Sequence, residues 1–168
     1  MTTPLVMLMI LVLPPGLAWL SRAVGGPSFD MRSASVAGLS LLFVSTASGH
    51  YVMPDLMADM LPPWVPFRHV LVFATVLLEL TIAAALILPK TRLLAGWAAI
   101  AVLILFFPAN VYAALNHIPM GGHAWGPSYL LIRTPVQVAI ALWAYWFVVR
   151  SRVSVPPIKS MGLQAPAE

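Results

Sequence analysis

The chain has 168 residues, of which 61% are hydrophobic and only 8% charged, far below the roughly 25% charged that a water-facing soluble domain carries. Its formal charge of +4 lies in Lys and Arg pairs beside apolar runs, not in a basic stripe interleaved with aromatics, so nucleic acid is excluded as a partner. The absence of cysteine excludes disulfides, thiolate metal sites, iron–sulfur clusters and dithiol relays within the chain, leaving any redox role to a bound cofactor or a partner.

These constraints predict an all-α, polytopic membrane helix bundle whose surroundings are the lipid bilayer. At about 20 residues per crossing the length holds roughly four to six spans and no separate soluble domain. The first apolar run lacks a basic leader and is interrupted by Pro14 and Pro15, so it reads as a retained span at about 4–24, kinked at the prolines, and not as a signal peptide. A second span is expected at about 33–51. The segment 52–67, with prolines at 54, 62, 63 and 66, cannot be a regular helix throughout and reads as a structured loop. Spans at about 68–88 and 93–115 flank Pro89-Lys90-Thr91-Arg92, and a fifth, at about 129–149, follows a link containing Gly121-Gly122. One helical domain thus covers residues 1–155, and a polar tail covers 156–168.

Arg22 and Arg32, Lys90 and Arg92, and then Arg150, Arg152 and Lys159 fall in alternate links. Because Lys and Arg in short loops stay cytoplasmic, this pattern predicts an N-terminus outside and a C-terminus inside. Trp64, Tyr112, Trp125 and Tyr129 then suit the outer aromatic belt, and Trp97, Tyr145 and Trp146 the inner one. Ala37, Gly38, Ala47 and Gly49 permit close helix approach.

Ionisable and amide side chains within the spans are costly in hydrocarbon and so mark a polar cavity. At 1.5 Å per residue, Glu79 lies about eleven residues, or ~16 Å, into its span from outside. Asn110, Arg133 and Gln137 lie in the outer half of theirs, the last two at i, i+4 on one face, while His50 closes the second span and His69 opens the third. An outer pocket follows, in which Glu79 and His50 are the candidate catalytic pair and Asn110, Arg133, Gln137 and His69 the candidate ligand-binding residues. A structural Glu79–Arg133 ion pair is an alternative role for those two residues, as is capping of proline-freed carbonyls for Asn110. His117 and His123 match no helical ligand spacing with His50, so no metal site is assigned.

The ordered segments Gly49-His50-Tyr51, Pro54, Leu61-Pro62-Pro63-Trp64-Val65-Pro66, Glu79, Leu88-Pro89-Lys90-Thr91-Arg92-Leu93-Leu94-Ala95-Gly96-Trp97, Phe107-Pro108-Ala109-Asn110-Val111-Tyr112 and Arg133-Thr134-Pro135-Val136-Gln137 resemble the DoxX-like family of small bacterial membrane proteins. The resemblance covers roughly residues 37–146. It implies a four-helix core, to which the first span is an addition, a bacterial inner-membrane location and an association with redox physiology. On that footing the expected function is an outward-facing pocket for a quinone or other lipophilic small molecule, in a redox-associated subunit. Two alternatives stand beside it: a self-contained isomerase or lyase using Glu79 and His50 as acid and base, and a structural accessory subunit of a larger membrane complex or homo-oligomer.

Overall fold

A backbone in hydrocarbon must satisfy its own hydrogen bonds, and apolar runs of this length do so as helices. The computed structural model describes residues 2–150, which form five long helices and several short ones with no strand among them. The long helices are α1 (Thr2–Ala23), α2 (Met31–Val52), α4 (Arg68–Ile87), α5 (Arg92–Leu115) and α6 (Leu130–Ala144). A six-residue helix, α3 (Pro54–Asp59), follows α2, a 3-10 segment (His123–Tyr129) precedes α6, and a π turn (Tyr145–Val149) continues it. The C-terminal tail, with Arg152 and Lys159, lies outside the described residues.

Four segments, Pro4–Ala23, Arg68–Ile87, Arg92–Leu115 and His123–Val149, are long and apolar enough to cross a membrane, and the chain is a membrane helix bundle. The expected second span is the one that does not qualify. Its helix is long, at 22 residues, but Ser33, Ser35, Ser40, Ser45, Thr46, Ser48 and His50 lower its hydropathy. The packing explains why such a helix is tolerated. Helices α1, α2, α4, α5 and α6 close a ring in that order, and α2 also reaches across to α6 and the π turn. Three neighbours therefore shield its polar groups. Ser40 donates to the Ala83 carbonyl of α4 at 2.9 Å, and Trp143 of α6 donates to the Ser35 carbonyl at 3.1 Å. The core between the helices is built from Leu11, Leu39, Leu86, Ile140 and Val148, all fully buried.

Helix α1 runs continuously through Pro14 and Pro15. Pro15 has no N–H for the carbonyl of Leu11, four residues before it. That carbonyl points at α2, where its oxygen occupies the place that a Cβ on Gly38 would take. A side chain at residue 38 is thereby excluded, and the two backbones meet directly.

Three arginines close one end of the bundle. Arg22 donates to the Phe29 carbonyl at 2.6 Å, Arg32 to the Phe147 carbonyl of the π turn at 3.3 Å, and Arg92 to the Leu86 and Ile87 carbonyls at 2.9 and 3.1 Å. Cations at helix C-termini satisfy orphan carbonyls and the macrodipole together. Asp30 caps α2, accepting from the Ser33 amide at 2.9 Å and its hydroxyl at 2.8 Å. Those Ser33 bonds, hydroxyl first, hold the Asp30 carboxyl below its ordinary value of 3.8. A depressed folded-state value means that the cap contributes fully above pH 3.8 and is lost as the pH falls through the lower folded value. Asp30→Ala is expected to remove about 1 kcal/mol at neutral pH, and the difference from the parent should vanish in melts recorded well below that range.

At the opposite end, α5 stops in a Schellman turn. Ile118 N–H bonds the Ala113 carbonyl at 3.0 Å and His117 N–H the Ala114 carbonyl at 3.3 Å, with His117 at φ 52°. Gly122, at φ 108°, then turns the chain where a Cβ would strike the Tyr129 ring. The 3-10 segment consequently folds back against α5. Tyr129, expected in an outer aromatic belt, is instead 1% exposed, because its ring stacks edge-on with His123 at 4.8 Å inside the bundle.

Candidate functional site

Between the open ends of the ring, opposite the arginines, lies a cavity of about 630 Å³. Helices α1, α2, α4, α5 and α6 all contribute to its wall, as do α3 and the loop before the 3-10 segment. Most of that wall is apolar. Leu78 of α4 and Leu105 of α5 line the cavity and are also 40% and 71% exposed, so it reaches the bundle surface at the α4–α5 seam. A molecule dissolved in the bilayer has direct access there.

Hydroxyls of Ser45, Thr46, Thr75 and Tyr129 interrupt this wall, as do the stronger polar groups of His50, Asn110, His123 and Arg133. His50 sits on the last turn of α2, where its Nδ1–H donates to the Thr46 carbonyl at 2.9 Å. With Nδ1 as donor, neutral imidazole carries its lone pair on Nε2. Behind the ring, buried in α4, is Glu79, whose Oε2 stands 3.2 Å from Nδ1. The Glu79–Arg133 ion pair that the sequence offered as an alternative is therefore not formed. Glu79 faces His50 instead, and the contact is electrostatic: Oε2 has no hydrogen-bonded partner because Nδ1–H is aimed at Thr46. The Thr46 bond fixes the orientation of the imidazole, with the carboxylate standing behind it.

Arg133, one turn into α6, is half-buried; its Nη1 contacts the Met7 sulfur of α1 at 2.9 Å, and its Nε is buried without a partner. His123 donates from Nδ1 to the Met120 carbonyl at 2.6 Å and leaves a buried Nε2 unpaired. Asn110 donates to the Phe106 carbonyl at 2.9 Å. Pro108 frees the carbonyl of Ile104, four residues earlier, so Asn110 does not cap that group; it bonds its own helix and turns the rest of the amide to the cavity wall.

Of the six expected site residues, three reach the cavity wall (His50, Asn110 and Arg133) and Glu79 stands directly behind one of them. Two do not. Gln137 is buried one turn deeper, where its Nε2 donates to the Leu103 carbonyl and ties α6 to α5. His69 is exposed at the rim, with Nε2 2.9 Å from Asp55 of α3. The position of α3, docked on the start of α4, makes that pair and turns His69 away. His117 supplies the left-handed residue of the Schellman turn, and the described residues contain no group of three His, Asp or Glu side chains able to hold a metal ion. Met7, His123 and Tyr129 are the cavity residues that spacing along the chain did not reveal. Met7 is an ordinary apolar residue in sequence, and the other two depend on a loop folding inward.

Comparison with curated proteins and with solved structures gives no match. Residues 39–148 match a family described as a domain of unknown function, DUF8561. The matched region begins within α2 and ends in the π turn, so it includes His50, Asn110, His123, Arg133 and Glu79 but leaves out α1. With well over half of its length matched, the chain belongs to the DUF8561 family.

Proposed function

We propose that this protein spans a bacterial inner membrane five times, N-terminus out and C-terminus in, and binds a quinone or another lipophilic small molecule with a polar head in an outward-facing cavity. The orientation is supported by Arg22, Arg32, Lys90, Arg92 and Arg150, which belong to alternate links that the positive-inside bias assigns to the cytoplasm. The fifth crossing would be α2, which has the length of a span and lies shielded among α1, α4 and α6. The DoxX-like relationship belongs to the same proposal, supported by the order of its motifs along the chain.

One observation carries the reading: an apolar cavity of about 630 Å³ into which groups with unspent hydrogen-bonding capacity converge. Small-molecule sites are mostly apolar with a few convergent polar groups. The residues fit a quinone, since Arg133 supplies donors for a ring carbonyl, and the Nε2 atoms of His50 and His123 supply acceptors for a hydroxyl. When bound, a quinone supplies coupled electron and proton exchange. His50 would take up or return the proton at Nε2, stabilised in its charged form by Glu79 behind it. Without a cysteine, the electrons would come from a partner or a further bound cofactor, and the chain would act as a redox-associated subunit. Protein purified from its native membrane is expected to carry extractable quinone and to bind a short-chain quinone in titration; finding neither removes the quinone as the ligand and leaves the cavity to another lipophile.

The Glu79–His50 contact favours one second reading, an acid–base enzyme of isomerase or lyase type acting on the same lipophile. Loss of turnover in Glu79→Gln, with an unchanged melt, is its expected signature, and retained turnover in that variant counts against it.

A further inference from the structure

Arg133 has no countercharge. Its guanidinium stays ionised in a protein, yet its one hydrogen-bonding contact is the uncharged sulfur of Met7, and its Nε has none. The described acids are all engaged or distant: Asp30 caps α2, Asp55 faces His69, Asp59 is exposed on α3, and Glu79 faces His50. Among the described residues no carboxylate lies within ion-pair distance of Arg133. The other titratable groups around it, His50, His123 and Tyr129, do not supply a negative charge at neutral pH in their ordinary forms. A guanidinium on the cavity wall thus has no carboxylate in contact with it, in surroundings where an unpaired ion is strongly disfavoured.

We propose that the molecule bound here is an anionic lipophile, a single-chain carboxylic acid whose ionised head sits on Arg133 and whose chain runs out along the α4–α5 seam. The inference rests on the reading of the cavity as a lipophile site and narrows the polar head to an acid. A guanidinium fork matches carboxylate bidentately, and Nη1 would exchange a weak thioether acceptor for a charged oxygen. One arginine balances one carboxylate. A phosphate monoester carries about −1.5 to −2 at pH 7, which would leave negative charge unbalanced against an apolar wall. Met7 is well suited to yield its place, being unbranched and adaptable, and it connects occupancy of the site to α1.

The test is calorimetric titration of the full-length protein in nanodiscs with three probes: dodecanoate, its methyl ester and a decyl-substituted quinone. Dodecanoate is expected to bind about ten- to one-hundred-fold more tightly than its ester, the margin that a charge-assisted hydrogen bond supplies. That preference should collapse in Arg133→Gln and persist in Arg133→Lys, which also serves where the glutamine variant does not fold. Equal affinity for acid and ester, or tighter binding of the quinone, overturns the acid proposal and leaves the lipophile site standing. An undiminished acid preference in folded Arg133→Gln removes Arg133 as the seat. No binding of any of the three overturns the lipophile reading and this inference with it.

Discussion

Gly38→Ala is expected to lower stability by about 3 kcal/mol, the upper part of the range for overpacking, even though alanine is the better helix former. In an open helix the exchange would stabilise by about 0.5–1 kcal/mol. Here the added methyl would overlap the Leu11 carbonyl oxygen, a backbone atom that cannot swing aside as a side chain can. Helix α1 must move as a body, and Met7 and Val6 leave the cavity wall with it. The variant should therefore lose ligand affinity as well as stability. Gly16→Ala provides the control: it lies in α1, the other helix of the contact, and nothing stands within 4 Å of its Cβ position. SDS titration of the two variants in mixed micelles should move in opposite directions. A Gly38→Ala protein as stable as the parent would mean that α1 does not press on α2 as described.

The five long helices were legible because apolar runs punctuated by proline and charged pairs leave little freedom. Glycine and proline mark the links, and Lys90 and Arg92 mark a turn whose arginine does cap the preceding helix. What hydropathy could not rank was α2. Its serines make it the least apolar of the five in the sense that matters for crossing, and only its place among three neighbours explains how they are accommodated. The pairing of Leu11 with Gly38 was half-visible: small residues on α2 pointed to close approach, but which carbonyl approached depended on Pro15, on another helix.

The site was legible to the extent that depth along a helix decides it. Glu79, His50, Asn110 and Arg133 were expected together because each lies towards one end of the bundle, and they are together. Depth does not fix azimuth, however. Gln137 shares a helix face with Arg133 yet turns to the Leu103 carbonyl, and His69 turns to Asp55 because α3 docks beside it. The pairing of Glu79 followed the same rule. Opposite charge favoured Arg133, but α2 packs on α4 along much of its length, which brings His50 to the carboxylate first. His123 and Tyr129 enter through the inward fold of the 3-10 segment, which depends on Gly122 and has no signature in hydropathy.

His50→Ala is expected to be the most destabilising change in the cavity, by about 3–5 kcal/mol, the usual loss when a buried carboxyl group is left without the group it faces. Glu79 is 3% exposed, and its Oε2, which has no hydrogen-bonded partner, faces the imidazole at 3.2 Å. The reverse deletion should be milder. In Glu79→Leu the imidazole keeps its bond to the Thr46 carbonyl and its exposure to the cavity, and leucine fills the space with apolar volume. The double variant His50→Leu with Glu79→Leu should come close to the parent, because exchanging both partners of a buried pair for apolar groups is often neutral or stabilising. The cycle should show a coupling of about 2 kcal/mol or more, within the range for residues in contact; additivity would mean that the two side chains do not interact. Stability alone leaves function undecided, so the double variant is the informative protein. If the pair only pins α2 to α4, that variant folds and binds the cavity's ligand as the parent does. If His50 and Glu79 serve the ligand's proton, it folds and binds, while the proton uptake that accompanies ligand reduction in the parent is lost.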